Sequence, residues 1–198
     1  KTVSLRSYNP VTKGHAGQIK KAVSLLLEAK RPMVYAGGGV VNAGAAVPLT
    51  EFAVAFGIPV VTTLMGIGAF DTTHALSMRM LGMHGTAFAN YAVEDCDFLI
   101  ALGARFDDRV AGVPLRFAPN AKRIAHIDVD ASEINKVKRV QWSHVGQLPP
   151  ALAALGAHAK RTEFSRDWSS WHRHLDELKQ RHAMAYDRDS ELIQPYYV

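Results

Sequence analysis

Cysteine is almost missing from this chain: Cys96 is the only one. That excludes an intrachain disulfide and a cysteine-based metal site, and it suits a reducing compartment such as the cytoplasm. Cys96 lies in Glu94-Asp95-Cys96-Asp97, just before an apolar stretch, a setting for a structural, partly buried thiol rather than a nucleophile. No apolar run approaches the roughly 20 residues that span a bilayer, so no membrane partner is expected. There is no phosphate loop ending in Gly-Lys-Ser or Gly-Lys-Thr. The dinucleotide fingerprint is also incomplete, because Gly37-Gly38-Gly39-Val40-Val41-Asn42 puts Asn42 where the third glycine belongs. A nicotinamide-dependent dehydrogenase is thereby disfavoured. His15, His74, His126 and His144 have no metal-ligand spacing, and His172, His174 and His182 in the tail are expected to be solvated, so no metal site is expected. The net charge of +5 raises the question of nucleic acid. The basic residues are scattered, though, and the densest cluster, Lys136, Lys138 and Arg139, has no interleaved aromatics, so nucleic acid is not an expected partner.

What is present is a regular alternation of elements. Residues 1–14 form a polar lead-in. Ile19, Ala22, Val23, Leu26 and Leu27 recur at helical spacing within a helix predicted from His15 to Lys30. A strand over Met33–Ala36, a helix over Val47–Phe56 ending at Gly57 and a strand over Ile58–Thr62 follow. Further on come a helix over Thr86–Glu94 and strands over Asp97–Leu102, Arg123–Asp128 and around Val145, with a closing helix over Pro149–Lys160. Asp130-Ala131-Ser132-Glu133 has capping-box spacing, which predicts a short helix there. Strands alternating with helices predict an α/β fold, a doubly wound and mostly parallel sheet with helices on both faces. The expected organisation is a central cofactor-binding domain over 1–161 and a helical linker over 162–198, carrying Trp168, Trp171, Leu175 and Leu178, that packs on the sheet or on a neighbouring domain. The chain opens at Lys1 without an initiator methionine or a signal-peptide pattern and closes on Ile193-Gln194-Pro195-Tyr196-Tyr197-Val198. It is therefore expected to be part of a longer protein.

Glycine concentrates at three turns: Gly37-Gly38-Gly39, Leu81-Gly82-Met83-His84-Gly85, and Gly103 ahead of Ala104-Arg105-Phe106-Asp107-Asp108-Arg109. Each is readable as an ordinary strand-to-helix turn. Together they suit an elongated phosphate-bearing cofactor, because glycine lets backbone amides approach an anion without a Cβ in the way. Ligands of open α/β sheets bind at the carboxyl ends of the strands. Here those ends are Gly37–Gly39, Thr63–Met65, Gly103–Arg109, Asp128–Asp130 and Gly146-Gln147. Arg105 and Arg109 offer charge for a diphosphate or carboxylate, and Asp128 is placed for a ribose hydroxyl or an adenine amine. His84 reads as a hydrogen-bonding or acid–base residue at a cleft. Asp107-Asp108 reads as a salt-bridged turn rather than a magnesium site. Met65 and Met83, with glycine neighbours, are candidates for soft contacts to a planar ring. The apolar loop Thr63–Phe70 is either a pocket wall or packing beneath the sheet.

Five segments carry a resemblance: Arg6-Ser7-Tyr8-Asn9-Pro10, Leu64-Met65-Gly66, Leu81-Gly82-Met83-His84-Gly85, Gly103-Ala104-Arg105-Phe106-Asp107-Asp108-Arg109 and His126-Ile127-Asp128-Val129-Asp130. The chain resembles, nearly end to end, the central domain of the acetohydroxyacid synthase (acetolactate synthase) large subunit. The resemblance implies a Rossmann-like fold that binds FAD, with the flavin not required for redox chemistry in the reaction. It also implies a whole enzyme that uses thiamine diphosphate and Mg2+ to condense two 2-ketoacids in branched-chain amino-acid synthesis. Gly37, Gly38, Gly39, Thr63, Leu64, Met65, Leu81, Gly82, His84, Gly85, Gly103, Arg105, Asp108, Asp128 and Val129 would line the flavin nucleotide, and the resemblance extends this to Arg6. Met83 and Arg109 would face the substrate channel, Arg109 receiving a ketoacid carboxylate. Where the family has Gly-Asp, this chain has Gly146-Gln147 at the adenine end, and glutamine carries no charge. The motifs that hold thiamine diphosphate and Mg2+, and the glutamate that activates it, belong to other domains of the family. The resemblance thus implies no catalytic residue and no synthase activity in this chain alone. It implies a homo-oligomeric full-length enzyme with a possible small regulatory subunit. The remaining alternatives are a flavin-free scaffold domain and a related thiamine-diphosphate enzyme such as a glyoxylate carboligase.

Overall fold

The computed structural model describes residues 16–193; Arg6 and His15 lie outside the described residues. In chain order the elements are α1 (Ala16–Glu28), β1 (Pro32–Ala36), α2 (Gly38–Asn42), α3 (Ala46–Phe56), β2 (Val60–Thr62), β3 (Ser77–Met80), α4 (Ala87–Asp95), β4 (Phe98–Leu102), α5 (Asp108–Ala111), β5 (Arg123–Asp128), β6 (Trp142–Val145), α6 (Leu148–Arg161) and α7 (Ser169–Arg181). The sheet order is β3-β2-β1-β4-β5-β6, and every pairing is parallel. α1, α3 and α6 pack together on one face of the sheet, and α4 and α7 pack on the other. This is the doubly wound α/β arrangement expected from the alternation, with its switch point between β1 and β4.

The central strands are the apolar runs. Every residue of β1 (Pro32-Met33-Val34-Tyr35-Ala36) and β4 (Phe98-Leu99-Ile100-Ala101-Leu102) is buried, as a parallel sheet covered on both faces requires. Each fully buried Leu, Ile or Phe there contributes about 1.5–3 kcal/mol. At the amino edge, Asp97 ties β4 to β1 by accepting from the backbone N–H groups of Lys30 and Arg31 at 2.9 and 2.8 Å. Cys96 is fully buried and its thiol donates to the Val93 carbonyl. Burial pushes that thiol's pKa well up, as do the charges of Asp97 and Asp95, so it is inert.

Four expectations change. β3 was not expected; it holds no β-branched residue, and its register with β2 shifts between Val60 and Thr62. β2 begins at Val60 rather than Ile58, because Pro59 has no N–H to give the ladder. The predicted helix at Asp130–Glu133 is a single 3-10 turn, Ala131–Glu133. Asp128 Oδ1 accepts the Asp130 N–H that Glu133 would need to close a capping box, and Glu133 pairs instead with Lys136 at 2.8 Å. The tail histidines are not free in solvent. His172 Nε2 bonds the Gly57 carbonyl at 2.8 Å, His174 Nε2 meets Asp95 at 2.7 Å, and His182 lies against the Tyr91 ring. They sit on or just beyond α7, whose Trp171, Leu175 and Leu178 are buried.

Candidate functional site

The turns after β1 and β4 are built against each other. Gly37 N–H donates to the Leu102 carbonyl, Gly39 N–H to the Gly103 carbonyl, and Gly103 N–H to the Ile127 carbonyl, all at 2.9–3.0 Å. A Cβ on Gly37 would fall 2.2 Å from the Gly103 oxygen, and one on Gly39 would fall 2.7 Å from Gly103 Cα. Gly103 itself has φ +54°. These glycines therefore serve close approach of two chain segments, and three of the amides expected to face an anion are already committed to backbone acceptors. Gly38 is sterically constrained too, because a Cβ there would fall 2.9 Å from Met65 Cβ.

This junction floors a groove of about 880 Å3 that runs across the carboxyl ends of the strands. Gly38, Gly39, Asn42 and Ala43 line its first wall, with Met65 against Gly38. Gly103, Ala104 and Arg105 form the middle, and Asp128, Val129, Asp130, Glu133, Gly146, Gln147, Leu148 and Pro149 close the far end. Gln147 is exposed at the start of α6 and makes no side-chain cap. The Asp128 side chain is nearly buried; Oδ1 holds the Asp130 N–H at 2.9 Å, and Oδ2 lies 3.7 Å from His126 Nε2. Asp130 titrates below the usual carboxylate range because the Ser132 hydroxyl and N–H donate to it.

Arg105 is exposed and pairs with Asp107 at 3.1 Å, the salt-bridged turn that the flanking charges suggested. Asp107 also caps α5, accepting from Arg109 N–H. Its carboxyl is held below the usual range by the hydrogen bond with the Asp108 side chain, then by the Arg109 amide and by the charges of Arg105 and Arg109. Between them Phe106 turns inward with φ +54°, fully buried against Tyr35 and His126 at ring separations of 5.4 and 5.3 Å.

The Leu81–Gly85 turn does not line this groove. It follows edge strand β3, with Gly82 at φ +99° and clamped by Asn90, whose Oδ1 takes the Gly82 N–H while its amide donates to the Gly82 carbonyl. The turn does meet the second charged segment: Met83 N–H donates to the Arg109 carbonyl at 2.9 Å. Met83 and His84 are both exposed beside Asp108 and Arg109, likewise exposed. Thr63 and Leu64 also stay outside the groove; Thr63 Oγ1 accepts Gly66 N–H, and Leu64 and Ile67 point outward while Ala69 and Phe70 are buried. The loop therefore does both things considered for it. Among the described residues no three His, Cys, Asp or Glu side chains gather to hold a metal, and no helix is long and apolar enough to cross a membrane.

Ala43, Leu148 and Pro149 line the groove with no sequence signal for a site, and Asn42, Ala104 and Glu133, which the sequence marks for other reasons, line it as well. The signal for Asn42 was present: it sits one helical turn beyond Gly38, on the departure from the third glycine.

Comparison with known proteins points the same way as this geometry. The acetolactate synthase large subunit of Corynebacterium glutamicum is 46% identical over 198 residues, covering 99% of this chain and 32% of that protein. The acetolactate synthase isozyme 3 large subunit of Escherichia coli is 42% identical, covering 100% of this chain and 35% of the relative. Acetolactate synthase 1, chloroplastic, of Zea mays is 43% identical over 181 residues, covering 90% and 28%. The chain thus spans about a third of the length of the curated relatives it matches. Residues 19–155, from α1 into α6, match the family described as the thiamine pyrophosphate enzyme, central domain. A six-stranded parallel sheet, a ligand-sized groove at its switch point and that match together make this chain a member of the thiamine pyrophosphate enzyme central-domain family.

Proposed function

We propose that this chain is the FAD-holding central domain of an acetolactate synthase large subunit. The observation that carries the reading is the continuous groove from Gly38 and Met65 past Arg105 to Asp128 and Gln147. Its volume lies in the upper part of the roughly 300–1,000 Å3 range of ligand clefts, which suits a dinucleotide. The residues present fit that group. Asp128 and Glu133 offer acceptors for ribose hydroxyls or an adenine amine, Arg105 reaches the diphosphate once it leaves Asp107, and Met65 gives a soft face to a ring. The Leu81–Gly85 and Asp108–Arg109 segments form the neighbouring surface. Within it Met83 and Arg109 face the substrate channel, Arg109 meeting a 2-ketoacid carboxylate, while His84, Thr63 and Leu64 complete the flavin wall. Bound FAD supplies no redox step to the condensation of two 2-ketoacids. Thiamine diphosphate and Mg2+ belong to other parts of the whole protein, which is a homo-oligomer that works with a small regulatory subunit.

The test is FAD titration of the purified chain, followed by flavin absorbance and tryptophan fluorescence. Saturable binding is expected, weakened about ten-fold or more in Arg105→Ala, the scale of one lost charge-assisted hydrogen bond. No synthase turnover is expected from the chain alone. Turnover without added protein, or binding indifferent to Arg105, would sink the reading. A second reading, a flavin-free scaffold domain, is favoured by the committed glycine amides and by the uncharged Gln147. Gln147→Asp separates the two, because it restores binding to a weakened flavin site and leaves a scaffold colourless.

A further inference from the structure

His126 is fully buried on β5, and neither ring nitrogen has a hydrogen-bond partner among the described residues. An imidazole in that position is costly, since a buried donor without an acceptor forfeits its hydration with nothing in exchange. Its neighbours explain its orientation. Through the strand register Tyr35, Ala101 and His126 lie in one row on the same face of the sheet, and the Phe106 ring stands edge-on to the imidazole at 5.3 Å. A carboxylate oxygen approaches the ring: Asp128 Oδ2, two residues along the strand, lies 3.7 Å from Nε2, while Ser143 is the register partner of His126 on β6. Asp128 is itself split between two tasks, because Oδ1 is fixed by the Asp130 N–H and the carboxylate opens on the groove.

We propose that His126 is a positioning residue for the nucleotide site. Its Nε2–H donates to Asp128 Oδ2 when a ribose hydroxyl or adenine amine engages that carboxylate, setting the carboxylate's rotation from beneath. The proposal rests on the reading of the groove as a flavin-nucleotide site. A rotation of the Asp128 carboxyl of less than an ångström at Oδ2 brings the pair into hydrogen-bond range. The ligand-free protein thus holds an unsatisfied polar group that ligand binding satisfies, and the relief of that penalty appears as affinity.

This gives His126 opposite signs in stability and in binding, which a merely structural histidine would not show. His126→Leu replaces the ring by an apolar group of similar volume. The ligand-free variant is expected to melt at or above the wild-type temperature, while its affinity for FAD and for ADP falls about ten-fold or more, the scale of a hydrogen bond to a charged group. His126→Gln keeps an N–H near the Nε2 position and is expected to recover most of that affinity. In an Asp128→Asn background the effect of His126→Leu on affinity should shrink to within about two-fold, because the two residues act as a coupled pair and the amide, keeping its one oxygen on the Asp130 N–H, turns a donor instead of a carboxylate oxygen toward Nε2. Titration and thermal melts of the wild type and these four variants decide it. If wild type and His126→Leu bind FAD and ADP equally, this proposal falls and the flavin reading stands. If wild type binds neither probe, both fall. If His126→Leu melts lower and His126→Gln does too, with affinities that merely follow stability, the residue is structural and the proposal is overturned.

Discussion

Replacing Gly37 by alanine is expected to lower the melting temperature of the chain by about 6–12 °C and to abolish binding in the groove. The added Cβ would stand 2.2 Å from the Gly103 carbonyl oxygen and 2.7 Å from Ala104 Cα. Both are backbone atoms that cannot swing aside, unlike the end of a flexible side chain. Relief would require β1 and β4 to part at their carboxyl ends, losing the Gly37 and Gly39 hydrogen bonds that tie the turns. Overpacking of this kind costs about 3 kcal/mol, and each kcal/mol moves the melting point by about 2–4 °C in a domain of this size. Gly156→Ala supplies the contrast. Gly156 lies within α6 with nothing within 4 Å of its missing Cβ, so alanine there should stabilise by up to about 1 kcal/mol through helix propensity. Thermal unfolding followed by far-ultraviolet circular dichroism checks both. A Gly37→Ala variant melting with wild type would show that the two turns do not meet as described.

Trp171→Ala should destabilise as much or more, by about 3–5 kcal/mol, or about 6–20 °C. The indole is almost wholly buried, and its N–H donates to the Pro32 carbonyl at the start of β1. Trp168 does the same for the Phe56 carbonyl at the end of α3. His174 stacks on Trp171 while bonding Asp95. Alanine removes the ring, leaves a cavity against the central strand, and frees one buried carbonyl. Limited proteolysis combined with a melt distinguishes the outcomes. The expected one is a single lower transition with cleavage near residues 162–168. An unchanged melt with early loss of α7 would mean that the sheet does not depend on this helix.

Both predictions concern places where sequence and structure agree unevenly. β1 and β4 were legible because strands buried on both faces must be continuously apolar. β3 was not, since Ser77-Met78-Arg79-Met80 is only four residues long and holds no β-branched or aromatic residue, and its edge position relaxes the demand for a continuous apolar run. α2 and α5, at five and four residues, are too short to show a period. At the site, the rule that ligands lie at strand carboxyl ends found the groove. Sheet order was invisible in the sequence, so the Leu81–Gly85 turn was grouped with the others although β3 lies at the edge, two strands from the β1–β4 switch point. At Gly37, Gly39 and Gly103 the amides bond backbone carbonyls and the missing Cβ atoms permit close approach, a steric role that sequence alone does not separate from anion binding. The tail histidines looked solvated because their partners, Gly57, Asp95 and Tyr91, are far away in sequence.

The order of the strands also sets when the groove can first exist on the folding pathway. β1 finds β2 across α2 and α3, but its other neighbour, β4, arrives more than sixty residues later. The halves β3-β2-β1 and β4-β5-β6 each have a local route to assembly, and they join only along that one seam. Such non-local pairing is slow to close, because loop entropy is lost before contacts repay it. Gly37 and Gly39 belong to one half and Gly103 to the other, so the binding surface is absent from any intermediate in which the halves are still apart. A ligand in the groove therefore recognises only the completed sheet. It should slow unfolding and leave the rate of collapse untouched.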